Sequence, residues 1–326
     1  MPLIDAEEGV QNENIDGGCR MAIDVDVAGT GFTVLDRVYG GEGPVEALGG
    51  SCGNVLISLA MLNRSVAPII ALGCDAVGDT LVSTFVQAGA NVRYIMRKHG
   101  IASPVLAQQL DLDSGRHWFA TVCPDTQVEF PRYTSIGPSD VLEAREVIDH
   151  CRVFYADRVS EAIVGAMEAA AGSGALVYFE PSAIDDTALF ERALRVTKIL
   201  KYSSDRLADS VSAWLDMDAI SIVTHGADGL ELRQGAMRYW CRAIEADIVR
   251  DTCGSGDMVS VGLIDWLLSG HTAYDAWSID AVLGGVVAGQ RLAAVNCAYA
   301  GARGFFEHHG AAAARAVLDG AGARGA

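Results

Sequence analysis

The sequence predicts an α/β fold with a mainly parallel central sheet and a small β lid. Three observations carry this. Half of the 326 residues are apolar, enough to bury one large core. Strand-like and helix-like apolar runs alternate along most of the chain, which implies right-handed βαβ units on a parallel sheet. Between Asn91 and Glu129 the alternation stops, and short strand-like runs follow one another without a helix signal, as an inserted antiparallel patch would.

Residues 1–20 are acidic and polar and are expected to form a disordered tail or a strand lead-in. Met21 to Val38 reads as a strand, a tight Gly29-Thr30-Gly31 turn and a second strand, with Asp36 near its end. The third glycine of a dinucleotide fingerprint is missing, and no helix follows at once. Gly49-Gly50-Ser51-Cys52-Gly53-Asn54 leads into an apolar-periodic helix from Val55 to Leu62. Such a helix mouth is open to a ligand at its backbone, and the Asn54 amide suits hydroxyl groups; the same residues also read as a turn and a cap. A buried strand over Ala67 to Leu72, a loop to Asp79 and a helix over Thr80 to Ala88 follow.

The insert carries the runs Val92 to Met96, Ser103 to Leu110 and His117 to Val122, with turn residues at Asp111 to Gly115. Its edges need covering, so a homodimer through this lid is expected. Arg116, His117 and Phe119 are candidates for touching substrate, beside ordinary cross-strand roles.

Alternation then resumes, with helix Ser139 to Asp149, strand Arg152 to Tyr155, helix Glu161 to Ala171 and strand Ala175 to Phe179. Helix Asp186 to Leu194, strand Thr197 to Tyr202, helix Ser204 to Leu215 and strand Ala219 to Thr224 complete this part. The loops Ala156-Asp157-Arg158 and Glu180-Pro181-Ser182 lie just after strands, where open α/β sheets bind ligands. The turn His225-Gly226-Ala227-Asp228-Gly229 joins two short strands, Leu230 to Arg233 and Met237 to Cys241; Thr224 with Gly226 and Gly229 suits a nucleotide or a plain hairpin. Tyr274 to Asn296 reads as a helix whose small residues permit close packing, and the Ala/Gly-rich end after His309 as a fraying helix.

The stretch with most chemistry is Asp251-Thr252-Cys253-Gly254-Ser255-Gly256-Asp257, followed by the apolar run Met258 to Leu268. N–H groups at a helix start lack intrahelical partners, and the aligned peptide dipoles add positive charge there, so a phosphate is stabilised. Asp257 in the first turn would take a proton from an attacking hydroxyl while the hole stabilises charge on a transferred phosphoryl group. Helix caps around a tight turn explain the same string.

With 24 basic against 42 acidic side chains, the formal charge of −18 opposes binding to nucleic acid or to an anionic membrane surface. A polyanion such as ATP still binds where backbone amides and local cations gather. The eight cysteines are scattered, with neither C-x-x-C pairs nor zinc spacing, which suits reduced thiols in the cytoplasm. No apolar run is long enough to cross a bilayer.

Three of these stretches carry a resemblance. Gly49 to Asn54, Thr224 to Gly229 and Asp251 to Asp257 resemble the early Gly-Gly, T-x-G-x-x-G and late D-T-x-G-A-G-D signatures of the ribokinase-like (PfkB-type) carbohydrate kinases. The resemblance covers roughly residues 22 to 304 and implies a three-layer α/β/α sandwich over residues 21–306, the lid mainly 91–129, and a C-terminal tail at 307–326. It implies Asp257 as base and Gly254, Ser255 and Gly256 as anion hole. Asp36, Gly49, Gly50 and Asn54 would hold sugar hydroxyls; Thr224, Gly226, Gly229 and Cys253 would line the nucleotide site. It further implies ATP, Mg2+ and a K+ ion near Asp251. Three departures stand out: Ser203-Ser204-Asp205-Arg206 where the family carries N-x-x-E, Glu180-Pro181-Ser182 in place of Asp-Pro-Asn, and Ser51 where ribokinase proper has a lysine, which speaks against ribose specificity. The expected function is an ATP-dependent sugar kinase. The alternatives are a nucleoside kinase of the same fold and a non-catalytic sugar or nucleotide sensor.

Overall fold

A computed structural model describes residues 25–39, 44–111, 116–211, 219–270 and 278–320. The acidic tail expected at 1–20, the start of the first strand, the turn at 112–115, the helix end near Leu215, the helix start at Tyr274 and residues 321–326 lie outside them. So do the side chains of Arg116 and His117.

In chain order the elements begin with β1 (Val25–Thr30), β2 (Val34–Tyr39), β3 (Val45–Gly49), α1 (Ser51–Met61), β4 (Val66–Pro68), β5 (Ile70–Gly73) and α2 (Ala76–Gln87). Then come β6 (Ile95–Lys98), β7 (Val105–Asp111), β8 (Arg116–Ala120), α3 (Pro138–Glu143), α4 (Arg145–His150), β9 (Cys151–Ala156), α5 (Glu161–Gly172) and β10 (Leu176–Phe179). The remainder is α6 (Thr187–Val196), β11 (Ile199–Ser203), α7 (Ser204–Val211), β12 (Ile220–Thr224), β13 (Gly229–Gln234), β14 (Met237–Arg242), α8 (Ser255–Leu268), α9 (Ile279–Asn296) and α10 (Gly304–Leu318).

The central sheet has eight strands in the order β14-β13-β12-β11-β10-β9-β1-β4. From β4 to β12 neighbours run parallel, and the β13–β14 hairpin closes one edge antiparallel. Both faces are covered, so the inner strands are largely apolar rather than alternating. On β9, Val153 and Tyr155 join the core with α1, α8, α9 and α10, while Phe154 and Ala156 join the core with α4, α5 and α6. This is the expected α/β/α sandwich.

The lid differs from expectation. It is a four-stranded sheet in the order β3-β2-β7-β8, so half of it comes from the N-terminal segment and only β7 and β8 from the 91–129 insert. β6 instead pairs with β5 in a separate two-stranded sheet. The expected Ala67 to Leu72 strand is divided between β4 and β5: β4 pairs with β1, ending where Ile69 N donates to Gly29 O at 2.8 Å, and β5 pairs with β6 instead. The helix expected from Thr80 starts at Ala76, because the Asp75 side chain caps it by accepting from Gly78 N at 2.8 Å.

Close packing of α8 on α9 follows from the small residues named above: a Cβ on Gly262 would lie 2.3 Å from Gly289 Cα. The C-terminal segment needs a correction, since residues 307–318 belong to α10 and are not a tail. Phe306, Ala314, Val317 and Leu318 are in the core, and Arg315 reaches Asp265 of α8 and the Leu62 carbonyl at 3.1 Å. Among the described residues no helix is long and apolar enough to cross a membrane.

Candidate functional site

The late motif folds as its composition demands. Gly254 caps α8 in the left-handed region at φ 72°, and a Cβ there would lie 2.4 Å from Ala302 Cβ, so only glycine fits. Asp251, fully buried, shapes the loop by accepting from Cys253 N and Gly301 N, both at 2.8 Å. In the first turn of α8, Ser255 N reaches Thr252 O and Met258 N reaches Gly254 O, whereas the N–H groups of Gly256 and Asp257 find no acceptor among the described residues. Those two donors are left free at the start of the helix, where the aligned dipoles favour negative charge. The Ser255 hydroxyl points elsewhere, 3.4 Å from the Cys297 sulfur; only its backbone bears on the loop.

Asp257 is 8 % exposed. Burial pushes its carboxyl up to about 6, the nearby Glu180 carboxylate adds to this, and Lys201 and hydrogen bonds from Asn54 and Ser51 oppose it. Asn54 Nδ2 donates to Asp257 Oδ2 at 2.7 Å, and Arg303 Nη1 donates to Asn54 Oδ1 at 2.5 Å. The amide is thus held at both ends. Asn54, expected to meet a substrate hydroxyl, here positions the carboxylate. Arg303 is buried, which lowers its own pKa against the opposing carboxylates Glu307, Asp36 and Asp257. Asp36 and Gly49 come together across the β2–β3 pairing: a Cβ on Gly49 would lie 1.8 Å from Asp36 Oδ2. Asp36, Asn54, Arg303 and Asp257 therefore converge from the lid, α1, the α10 start and α8.

The mouth of α1 is filled by the protein itself. Asp157, directly after β9, accepts from Cys52 N at 3.0 Å and from Phe32 N at 2.7 Å. Burial raises its carboxyl to about 6 against the Arg158 guanidinium and the two N–H donors. Gly50, at φ 81°, lets the chain pass close to the Phe32 carbonyl.

Two further groups flank α8. Glu180, after β10, is ion-paired with Lys201 of β11 and accepts from Ser260 Oγ at 2.6 Å and Tyr155 OH at 3.1 Å. Sequence reasoning placed Asp157 and Glu180 in ligand-edge loops without giving them roles, and missed Lys201 and Arg303. The signal for Lys201 was a lone charge inside the apolar strand run Ile199-Leu200-Lys201-Tyr202. Arg303 had no signal, since it lies far in sequence from the groups it serves.

The turn from Thr224 to Gly229 sits at the C-terminal end of β12. Thr224 Oγ1 lies 3.5 Å from the Tyr202 carbonyl, and Gly226 opens a short 3-10 turn at φ 58° with free space where a side chain would be. Gly229 is required by packing, since a Cβ would lie 2.3 Å from the Cys241 carbonyl. Cys253 is buried with its thiol 3.7 Å from Gln108 Oε1 of β7, on the lid side. Burial raises that thiol well above its ordinary value, so it is no thiolate nucleophile. Among the described residues no group of three or more His, Cys, Asp or Glu side chains is placed to hold a metal ion.

The sequence profile of the pfkB family carbohydrate kinases matches residues 23–300. No curated protein matches the chain. Among solved structures, a ribokinase from Giardia lamblia superposes with a TM-score of 0.72 at 16 % identity, covering 91 % of this chain and 99 % of that one. A probable sugar kinase from Rhizobium etli gives 0.70 at 18 % identity, over 90 % and 99 % of the two chains. Aminoimidazole riboside kinase from Salmonella enterica, complexed with aminoimidazole riboside and an ATP analog, gives 0.65 at 21 % identity over 85 % and 95 %. The late motif, the layered fold and the profile match agree, and the chain belongs to the pfkB family of carbohydrate kinases.

Proposed function

We propose that this protein transfers the γ-phosphoryl group of MgATP to a hydroxyl of a carbohydrate or sugar-like acceptor, with Asp257 as general base. The observation that carries this is the pairing of a buried carboxylate with two orphan N–H donors in the same helical turn. With its carboxyl near 6, Asp257 is ionised at neutral pH yet basic enough to take the acceptor's proton. The anion hole formed by the Gly256 and Asp257 N–H groups would face the charge on the phosphoryl oxygens. Thr224, Gly226 and Gly229 are proposed for the nucleotide, and Asp36, Gly49 and Gly50 for the acceptor. Mg2+ is proposed to arrive on the nucleotide phosphates. Asp251 is assigned to shaping the loop.

ADP release with MgATP is to be measured against pentoses, hexoses, sugar acids, sugar phosphates and nucleosides, with and without potassium. Turnover on one class is expected, and Asp257→Asn should lower it by about 10²–10⁴-fold while ATP binding persists. Wild-type turnover in that variant overturns the role. Nucleosides are a second acceptor class, favoured by the likeness to a riboside kinase. A reducing, cytoplasmic setting is proposed from the seven described cysteines, all free thiols.

A further inference from the structure

We infer that Lys201 is a catalytic residue that contacts the transferred phosphoryl group at the anion hole, and that Glu180 is the positioning residue that aims it. The inference rests on the kinase reading above.

Lys201 is 3 % exposed, projecting from β11 in the middle of the parallel sheet. A buried ammonium needs a partner, and Glu180 Oε1 is that partner. The other oxygen, Glu180 Oε2, is fixed by Ser260 Oγ, which in turn accepts from Tyr178 OH at 3.0 Å. Gly256 and Ser260 are four residues apart and share one face of α8. The Glu180–Lys201 pair docks on that face: Glu180 binds Ser260, and Lys201 lies one turn nearer the helix start. A Cβ built on Gly256 would be 3.5 Å from Lys201 Nζ. The ammonium therefore sits beside the residue that carries one of the two orphan N–H groups, and both add positive charge to the same helical turn. With Glu180 held by three donors, Lys201 has a fixed aim, as pre-organised electrostatic catalysis requires.

This arrangement also bears on the Ser203-Ser204-Asp205-Arg206 departure. Where the family resemblance leads one to expect an acidic group near the metal and phosphate network, this chain has a buried lysine two residues upstream. In the transfer, the acceptor oxygen bonds to the γ-phosphorus as the bond from that phosphorus to the β,γ-bridging oxygen breaks. The bridging oxygen leaves with the electron pair as part of ADP, and the acceptor's proton goes to Asp257. Lys201 takes no part in the proton transfer and offsets charge on the phosphoryl oxygens.

The test uses the full chain. In Lys201→Met, calorimetric affinity for ATP is expected to fall about tenfold while affinity for ADP, which lacks the γ-phosphoryl group, is unchanged. Turnover on the acceptor found above should fall by about 10²–10³-fold with acceptor KM nearly constant, and Lys201→Arg should restore part of it. Because Lys201→Met leaves Glu180 buried without its cation, the double variant Lys201→Met/Glu180→Gln, neutral at both positions, is measured alongside. A folded variant, single or double, that keeps both wild-type turnover and the wild-type ratio of ATP to ADP affinity overturns the inference. So does a loss that strikes ATP and ADP equally, as a purely structural lysine would cause. If wild type binds ATP but phosphorylates nothing, the kinase reading falls and the affinity ratio still decides Lys201. If wild type binds neither nucleotide, both fall.

Discussion

Asp257 is held in a place where ionisation is costly. Its folded pKa of about 6 lies above the ordinary 3.8, so the folded state binds this proton more tightly than the unfolded chain. The sign follows: between about pH 4 and 6 the folded form carries the proton and the unfolded form does not, so this group's contribution to stability falls as pH rises through that window. Above it the charge must be buried. Asp257→Asn is therefore expected to raise the melting temperature at pH 7.5 and to lose that advantage at pH 4.5; equal shifts at both pH values would contradict the burial cost. If Asp257 is the base proposed above, turnover of the wild type should fall below an apparent pKa near 6 as its carboxyl becomes protonated, read from the pH profile of kcat/KM. Asn54 and Arg303 belong to the same account, since they hold the carboxylate in one orientation at the expense of their own freedom.

At the scale of the element, α8 is positioned by its first turn. Its cap, Gly254, must be left-handed and must pass against Ala302, and Asp251 pins the preceding loop to the Gly301 N–H. Gly254→Ala adds a Cβ to a strained φ and a closed space. A loss of about 1–3 kcal/mol in urea unfolding is expected, with turnover lost as the hole deforms; an unchanged midpoint would show that the loop relaxes freely. α10 is the other element whose weight its composition conceals. Its alanines suggest a fraying end, yet Val317 and Leu318 are buried and Arg315 clamps Asp265. Truncation at Gly310 should lower stability by about 3–6 kcal/mol from the two buried aliphatic side chains alone, seen as a drop in melting temperature.

Across the whole molecule, the lid and the sandwich meet at the site, with Asp36 and Gln108 reaching toward the late motif from β2 and β7. The lid also presents apolar side chains outward: Val45, Trp118 and Val128 are 66 %, 52 % and 63 % exposed. Trp118 and Phe119 are successive on β8 and so point to opposite faces of the lid sheet, and Phe119 too is exposed. The proposed homodimer would bury one of these faces. Trp118→Asp should then convert a dimer to a monomer in sedimentation velocity, and a wild-type chain that is monomeric at tens of micromolar would remove the proposal.

Periodicity in the sequence determined the layered α/β architecture, because burial on both sides of a parallel sheet leaves continuous apolar strands and amphipathic helices in alternation. Local signals also identified the α8 mouth, since Gly254, Gly256 and Asp257 are adjacent and their chemistry depends on one helical turn. Only the tertiary structure decided the rest. The lid draws β2 and β3 from a segment that precedes the insert, a pairing that no local pattern specifies. Asn54 meets Arg303 and Asp257, and Glu180 meets Lys201 and Ser260, across separations of tens to hundreds of residues. Such contacts depend on which strand ends share an edge of the sheet. Periodicity records whether a side chain is buried, while the fold alone determines what it is buried against.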